Sequence, residues 1–100
     1  MYGLIGKFKA KPGQRDALIA SMLDDDTPIP GCYSFVVAHD PGDPDVVWIT
    51  EVWNSQASHK ASLEMSSVKA SIARAMPLIA AFDQPIETVP VGGIGLPKRA

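Results

Sequence analysis

The residues that carry chemistry gather in one stretch, EVWNSQASHKASL, running from Glu51 to Leu63. It holds a carboxylate, an indole, an imidazole and several hydroxyls. An imidazole titrates near neutrality, which makes His59 the first candidate for general acid–base work. His59 lies four residues after Ser55 and four before Leu63, so on a helix it shares a side with both. Glu51 and Trp53 are two residues apart, so on a strand they point to one face, while Trp48 and Thr50 point to the other. Lys7, on a neighbouring antiparallel strand, is placed to pair with Glu51 across the sheet.

The other reactive groups are more isolated. His39 and Asp40 stand beside the turn sequence PGDPD and suggest a His–Asp couple or a metal site. The chain has 2 histidines and brings no third ligand within sequence reach, so no metal is expected. Cys32 is the single cysteine, which excludes an internal disulfide and reads as a structural thiol. Gly92-Gly93-Ile94-Gly95 is followed by neither a helix nor a lysine–serine pair, so it is not a phosphate loop.

The elements that position these groups are legible from periodicity. YGLIGKFKA alternates, with Tyr2, Leu4, Gly6 and Phe8 on one face and Ile5, Lys7 and Lys9 on the other. After Lys11-Pro12-Gly13-Gln14 comes a helix with Leu18, Met22 and their neighbours as its apolar stripe. Asp24 to Asp26, at the negative end of the dipole, and Pro28 stop it. GCYSFVVAHD and DVVWITEVW are strands around the PGDPD turn, so residues 31–53 read as a hairpin. Asn54 or Ser55 caps the next helix, and Ser66 or Ser67 caps another that Pro77 breaks near Ala73 to Met76. PIETVPV is a short last strand, at an edge or exchanged with a second subunit.

The order β-α-β-β-α-β is that of an α+β, ferredoxin-like split β-α-β fold with an antiparallel sheet and helices on one face. The other face is bare yet carries apolar residues such as Ile5, and two copies packed sheet to sheet would cover it. The boundaries are a domain at residues 1–91 and a glycine-rich C-terminal tail at 92–100 that is expected to be poorly ordered.

The totals exclude several classes. In 100 residues there is room for one core. Lys plus Arg is 9 against 11 for Asp plus Glu, a net charge of −2, which offers nothing to nucleic acid or to an anionic membrane. No window approaches the roughly 20 apolar residues of a membrane span, and the N-terminus lacks the pattern of a secretory leader. A cytoplasmic protein is the expectation.

The chain resembles the antibiotic biosynthesis monooxygenase family, whose quinol-monooxygenase-like members are dimeric α+β barrels. The resemblance spans roughly residues 2–91. It rests on the first strand running into Lys11-Pro12-Gly13-Gln14, on Gly31-Cys32-Tyr33 opening the second strand, and on Glu51-Val52-Trp53 followed by Ser55, Ala57 and Leu63. It implies a homodimer with a pocket between sheet and helices in each subunit. It also implies oxygenation of a phenolic, quinol or polyketide-like aromatic substrate by molecular oxygen, with no cofactor and no metal. The family's histidines on these helices fall at Ser62 and Ser67, so both are missing. The haem-degrading branch uses a tryptophan and a histidine at positions held by Ser62 and Ile72, and an asparagine that the first strand lacks, so haem degradation is not expected.

Within this resemblance His59 is the candidate proton acceptor, and Trp48 and Tyr33 are the candidates for packing the substrate ring. Trp48 lines the pocket if its face looks towards the helices. Phe35 and Tyr2 are candidates for stacking on a flat substrate too, though core packing is the favoured reading of both, and Trp53 reads as a core or dimer anchor. Two rival readings stand beside the oxygenase. One is a non-catalytic small-molecule-binding or dimerisation module of the same fold. The other is a non-oxidative cyclisation or isomerisation of a polyketide-like substrate.

Overall fold

The computed structural model describes residues 1–97, and the end of the predicted tail, residues 98–100, lies outside the described residues. The chain runs β1 (Tyr2–Ala10), α1 (Arg15–Leu23), β2 (Cys32–His39), β3 (Val46–Trp53), α2 (Gln56–Ser62), α3 (Ser66–Ala75), β4 (Ile79–Phe82) and β5 (Ile86–Thr88). The strands form one sheet in the order β2-β3-β1-β4, with β5 pairing the other end of the same edge of β1, and each pairing is antiparallel. This is the split β-α-β arrangement expected from the order of elements.

The alternation of β1 and β3 decides the two faces. Across β1 and β3, Leu4 faces Glu51, Gly6 faces Ile49 and Phe8 faces Val47. Val47 and Ile49 belong to the core with Ala10, Leu18 and Ala75, and Phe8, Val37, Leu78 and Ile79 pack on it. The helices therefore cover the face of Tyr2, Leu4, Val47, Ile49, Glu51 and Trp53. The opposite face carries Ile5, Lys7, Val36, Trp48, Thr50, Val52 and Ile86.

Local chemistry ends the elements where it should. Ser55 caps α2 by accepting a bond from the Ser58 backbone N–H at 3.2 Å. The cap position of α3 is Met65, not Ser66 or Ser67, and it makes no side-chain bond; Ser66 and Ser67 are already helical. Pro77 ends α3 as expected, but it does so within a single 3-10 turn, Met76–Leu78, that leads directly into β4. The helical stripe of SSVKASIARAMPLIAAF thus conceals a strand, because a proline cannot donate the bond that would continue the helix.

Gly31 joins the start of β2 to α2. Its φ is +82°, and a Cβ there would meet Ser58 Oγ at 2.5 Å and Ser58 Cβ at 2.6 Å. Its carbonyl accepts the Asn54 backbone N–H at 2.8 Å. Gly13 also has positive φ, +76°, with nothing within 4 Å of a Cβ. Gly13→Ala is expected to lower unfolding free energy by about 1 kcal/mol, the cost of the left-handed backbone alone. Gly31→Ala is expected to cost about 3 kcal/mol, because crowding adds to strain. Parallel urea melts of the two variants measure the difference, and equal losses would remove the crowding argument.

Candidate functional site

The end of the sheet where β3 runs out and β1 begins collects the polar groups of the helix-covered face. Trp53 is 2% exposed and donates its indole Nε1–H to Glu51 Oε1 at 3.0 Å. The His59 ring from α2 meets the Trp53 ring edge-on at a centroid distance of 5.3 Å. Tyr2 of β1 approaches the same imidazole at 5.8 Å, tilted by 35°. The Tyr2 hydroxyl donates to Glu87 Oε1 of β5 at 3.1 Å. Cys32 opens β2 opposite Trp53. Four strands, β1, β2, β3 and β5, and the helix α2 thus contribute to a single cluster.

His59 is held half-buried at this face by the helix that carries it. Ser62, where the family keeps a histidine, is 4% exposed, and its hydroxyl donates to the His59 carbonyl at 2.6 Å. The inward position of the family's histidine is therefore filled by a small residue, and the imidazole stands one turn earlier on the same inner side. The four-residue spacing from Ser55 gave the side of the helix; the partners Tyr2 and Trp53 come from distant strands and have no local signal.

The Glu51 carboxyl is perturbed by its setting. Burial pushes it above the ordinary carboxylate range, against the pull of the Trp53 N–H and the nearby His59. The Cys32 thiol is raised by burial and by the Glu51 charge. Tyr2 is raised by desolvation and by the Glu87 carboxylate that accepts its hydrogen bond. Lys7 does not pair with Glu51. It lies opposite Trp48, on the other face, with its ammonium 5.4 Å from the Trp48 ring centroid. The register puts an even-numbered β1 residue, Leu4, opposite Glu51 instead.

Trp48 does not stand with His59. Its face looks away from the helices, and its Nε1–H donates to Asp40 Oδ1 at 2.8 Å. The same Asp40 accepts the Gly42 and Asp43 backbone N–H groups through Oδ2 at 3.0 and 2.8 Å. This bonding, led by the Trp48 N–H, holds the Asp40 carboxyl below its ordinary range and shows it bracing the β2–β3 turn. Tyr33 is the extra residue where the β2–β3 register shifts between Cys32 and Ser34. It lies at the His59 end of the sheet and is 39% exposed, while Phe35, opposite Glu51, is 40% exposed. A cleft lined by Gly13, Arg15, Asp16, Pro44 and Asp45 lies at the far end of the sheet. Two of its polar side chains are tied to the fold: Asp45 accepts the Gly13 N–H, and Arg15 donates to the Asp43 and Val46 carbonyls. Glu51, Trp53 and Tyr2 were legible as neighbours in face but not as a site, because Glu51 has a pairing partner in sequence that the register denies it.

The comparisons agree with this fold. Residues 1–74 match the family described as Antibiotic biosynthesis monooxygenase, and the chain belongs to that family. A crystal structure of a candidate antibiotic biosynthesis monooxygenase from Chloroflexus aurantiacus J-10-fl is 61% identical, with 96% of this chain and 98% of that one covered and a TM-score of 0.91. A candidate from Deinococcus radiodurans is 18% identical, with 94% and 96% covered and a TM-score of 0.74. One from Bacteriodes thetaiotaomicron is 14% identical, with 90% and 89% covered and a TM-score of 0.79. The last two share the fold. No curated protein matches the chain.

A carboxyl raised by burial makes the folded state bind its proton more tightly than the unfolded chain does. That stabilisation is fully present below the unfolded carboxyl pKa and is lost as pH rises through the folded one. Ionised Glu51 therefore weakens the fold at neutral pH. Glu51→Gln keeps an acceptor for the Trp53 N–H and is expected to raise the melting temperature by a few degrees at pH 7. The gain should shrink towards zero below about pH 4, where the wild-type carboxyl is protonated. Thermal melts across that range check it, and a gain that persists at low pH would assign the effect to packing.

Proposed function

We propose that this chain is a monooxygenase that oxidises an electron-rich phenol or quinol with molecular oxygen and without a prosthetic group. One observation carries the reading: the imidazole of His59 is set against Trp53 and Tyr2 at the helix-covered face, and two rings of β2 stay exposed. Tyr33 and Phe35 offer those rings to a flat substrate, and His59 accepts its hydroxyl proton. The buried Trp53 and the half-buried side chains around His59 keep part of the water from the phenolate and leave it more reducing.

The reaction balances on substrate and oxygen alone. A phenol with hydrogen at its para carbon gives up four electrons and becomes a para-quinone. One oxygen atom enters as the new carbonyl and the other leaves as water. The protein supplies proximity, desolvation and proton acceptance. Trp48, on the other face, has no part in this scheme.

The second face supports a homodimer. Val36 is 53% exposed and Ile86 59% exposed on it, beside half-buried Ile5 and Val52. A bare apolar sheet face is best covered by its own copy about a two-fold axis. Val36→Lys is expected to yield a monomer, read as a halved mass in sedimentation.

Oxygen uptake above the uncatalysed rate by purified, chelator-treated protein, with a panel of 1-naphthols and other phenols unsubstituted at the para carbon, tests the enzyme. His59→Ala is expected to lower turnover by about 10²–10⁴-fold, the usual worth of a positioned proton acceptor. Serine at the family's histidine position favours the rival, a non-catalytic binding module. Binding of the same panel without oxygen uptake would establish that rival, and product formed equally well without oxygen would establish a cyclase or isomerase.

A further inference from the structure

Glu51 has more in it than the fold requires. It sits at the middle of the sheet, with Leu4 of β1 and Phe35 of β2 as its strand partners. Among the described residues the ion pairs are Lys9–Asp43 and Lys69–Glu64, so Glu51 has no cation in contact. Its Oε1 takes the Trp53 N–H, and no partner among the described residues reaches Oε2. No fully enclosed side-chain polar atom among those residues lacks a partner, so Oε2 is not fully enclosed and keeps some contact with solvent. A neutral amide would serve Trp53 equally well without the cost of a half-buried charge. Glu87, joined to the Tyr2 hydroxyl, adds a second carboxylate to the same cluster, and His59 is the one basic side chain among its members.

We infer that Glu51 selects the ligand of this site: its free Oε2 accepts a hydrogen bond from a hydroxyl of an uncharged hydroxylated ring, and its charge, with that of Glu87, turns carboxylated rings away. The inference shares with the proposed function the placing of an aromatic ligand beside His59, but it requires no oxygen chemistry. The aromatic surroundings suit a flat ring, and the local carboxylates favour a donor over an anion.

The test is equilibrium binding under nitrogen, by titration calorimetry at pH 7, with hydroquinone and 2,5-dihydroxybenzoate as a matched pair. Wild-type protein is expected to bind hydroquinone at least tenfold more tightly. Glu51→Gln, which keeps the Trp53 contact, is expected to weaken hydroquinone about tenfold, the usual worth of a hydrogen bond to a charged group. The same variant should bind the carboxylated ring more tightly than wild type does. Glu87→Gln, on an exposed strand residue, should relieve only the exclusion of the carboxylated ring. Unchanged selectivity in both variants, or failure of the wild type to bind either probe, overturns the inference. Selective binding with no oxygen uptake leaves it standing and removes the oxygenase instead.

Discussion

Everything in this molecule depends on the alternation of one central strand. β3 is hydrogen-bonded on both sides, to β1 and to β2, so its register is fixed twice. Successive residues of a strand point to opposite faces. One eight-residue strand therefore sends Val47, Ile49, Glu51 and Trp53 under the helices and Trp48, Thr50 and Val52 to the bare face. The core, the candidate site and the candidate assembly surface are each one residue away from another. A slip of one residue in β3 would exchange the two tryptophans between the faces and turn Val47 and Ile49 out of the core.

That constraint also explains what the sequence could and could not reveal. The strands β1 and β3 and the Ser55 cap are local properties, written in period-two alternation and in a single hydroxyl. The division of β3 into two faces is equally local. Which face lies under helices is not, since it is settled by packing against Leu18 and Ala75, far away in the chain. Trp48 and Trp53 therefore look like equal candidates in the sequence, and only the helices separate them. The Lys7–Glu51 pairing failed for a related reason: opposite charges at suitable spacing suggest a pair, but cross-strand register is set by the whole ladder. β4 was hidden because Ile79 to Phe82 continues a plausible helical stripe, and only Pro77 hints that the helix has ended.

The site is assembled from positions that have different reasons to be there. Trp53 anchors the end of the sheet and is almost fully buried, so its indole is a wall and not an exposed platform. His59 gains its place from the helix that Ser55 starts and that Gly31 allows to approach β2. Ser62 closes the helix inwards by bonding the His59 carbonyl. The serine that marks a departure from the family's histidine thus supports the backbone that carries this chain's own imidazole.

The C-terminal part completes the division between core and site. A single edge of β1 is shared by two short strands. β4 pairs with Phe8 to Ala10, where Ile79 packs on the core and the exposed Phe82 ring lies 6.2 Å from that of Phe8. β5 pairs with Gly3 to Ile5 at the other end and carries Glu87 to Tyr2. A continuous strand would impose one register on both ends. Breaking it at Asp83 to Pro85 lets the core end keep its apolar packing while the site end aligns a carboxylate with a phenol. The prolines that make this segment a poor strand are what allow one edge to serve two purposes.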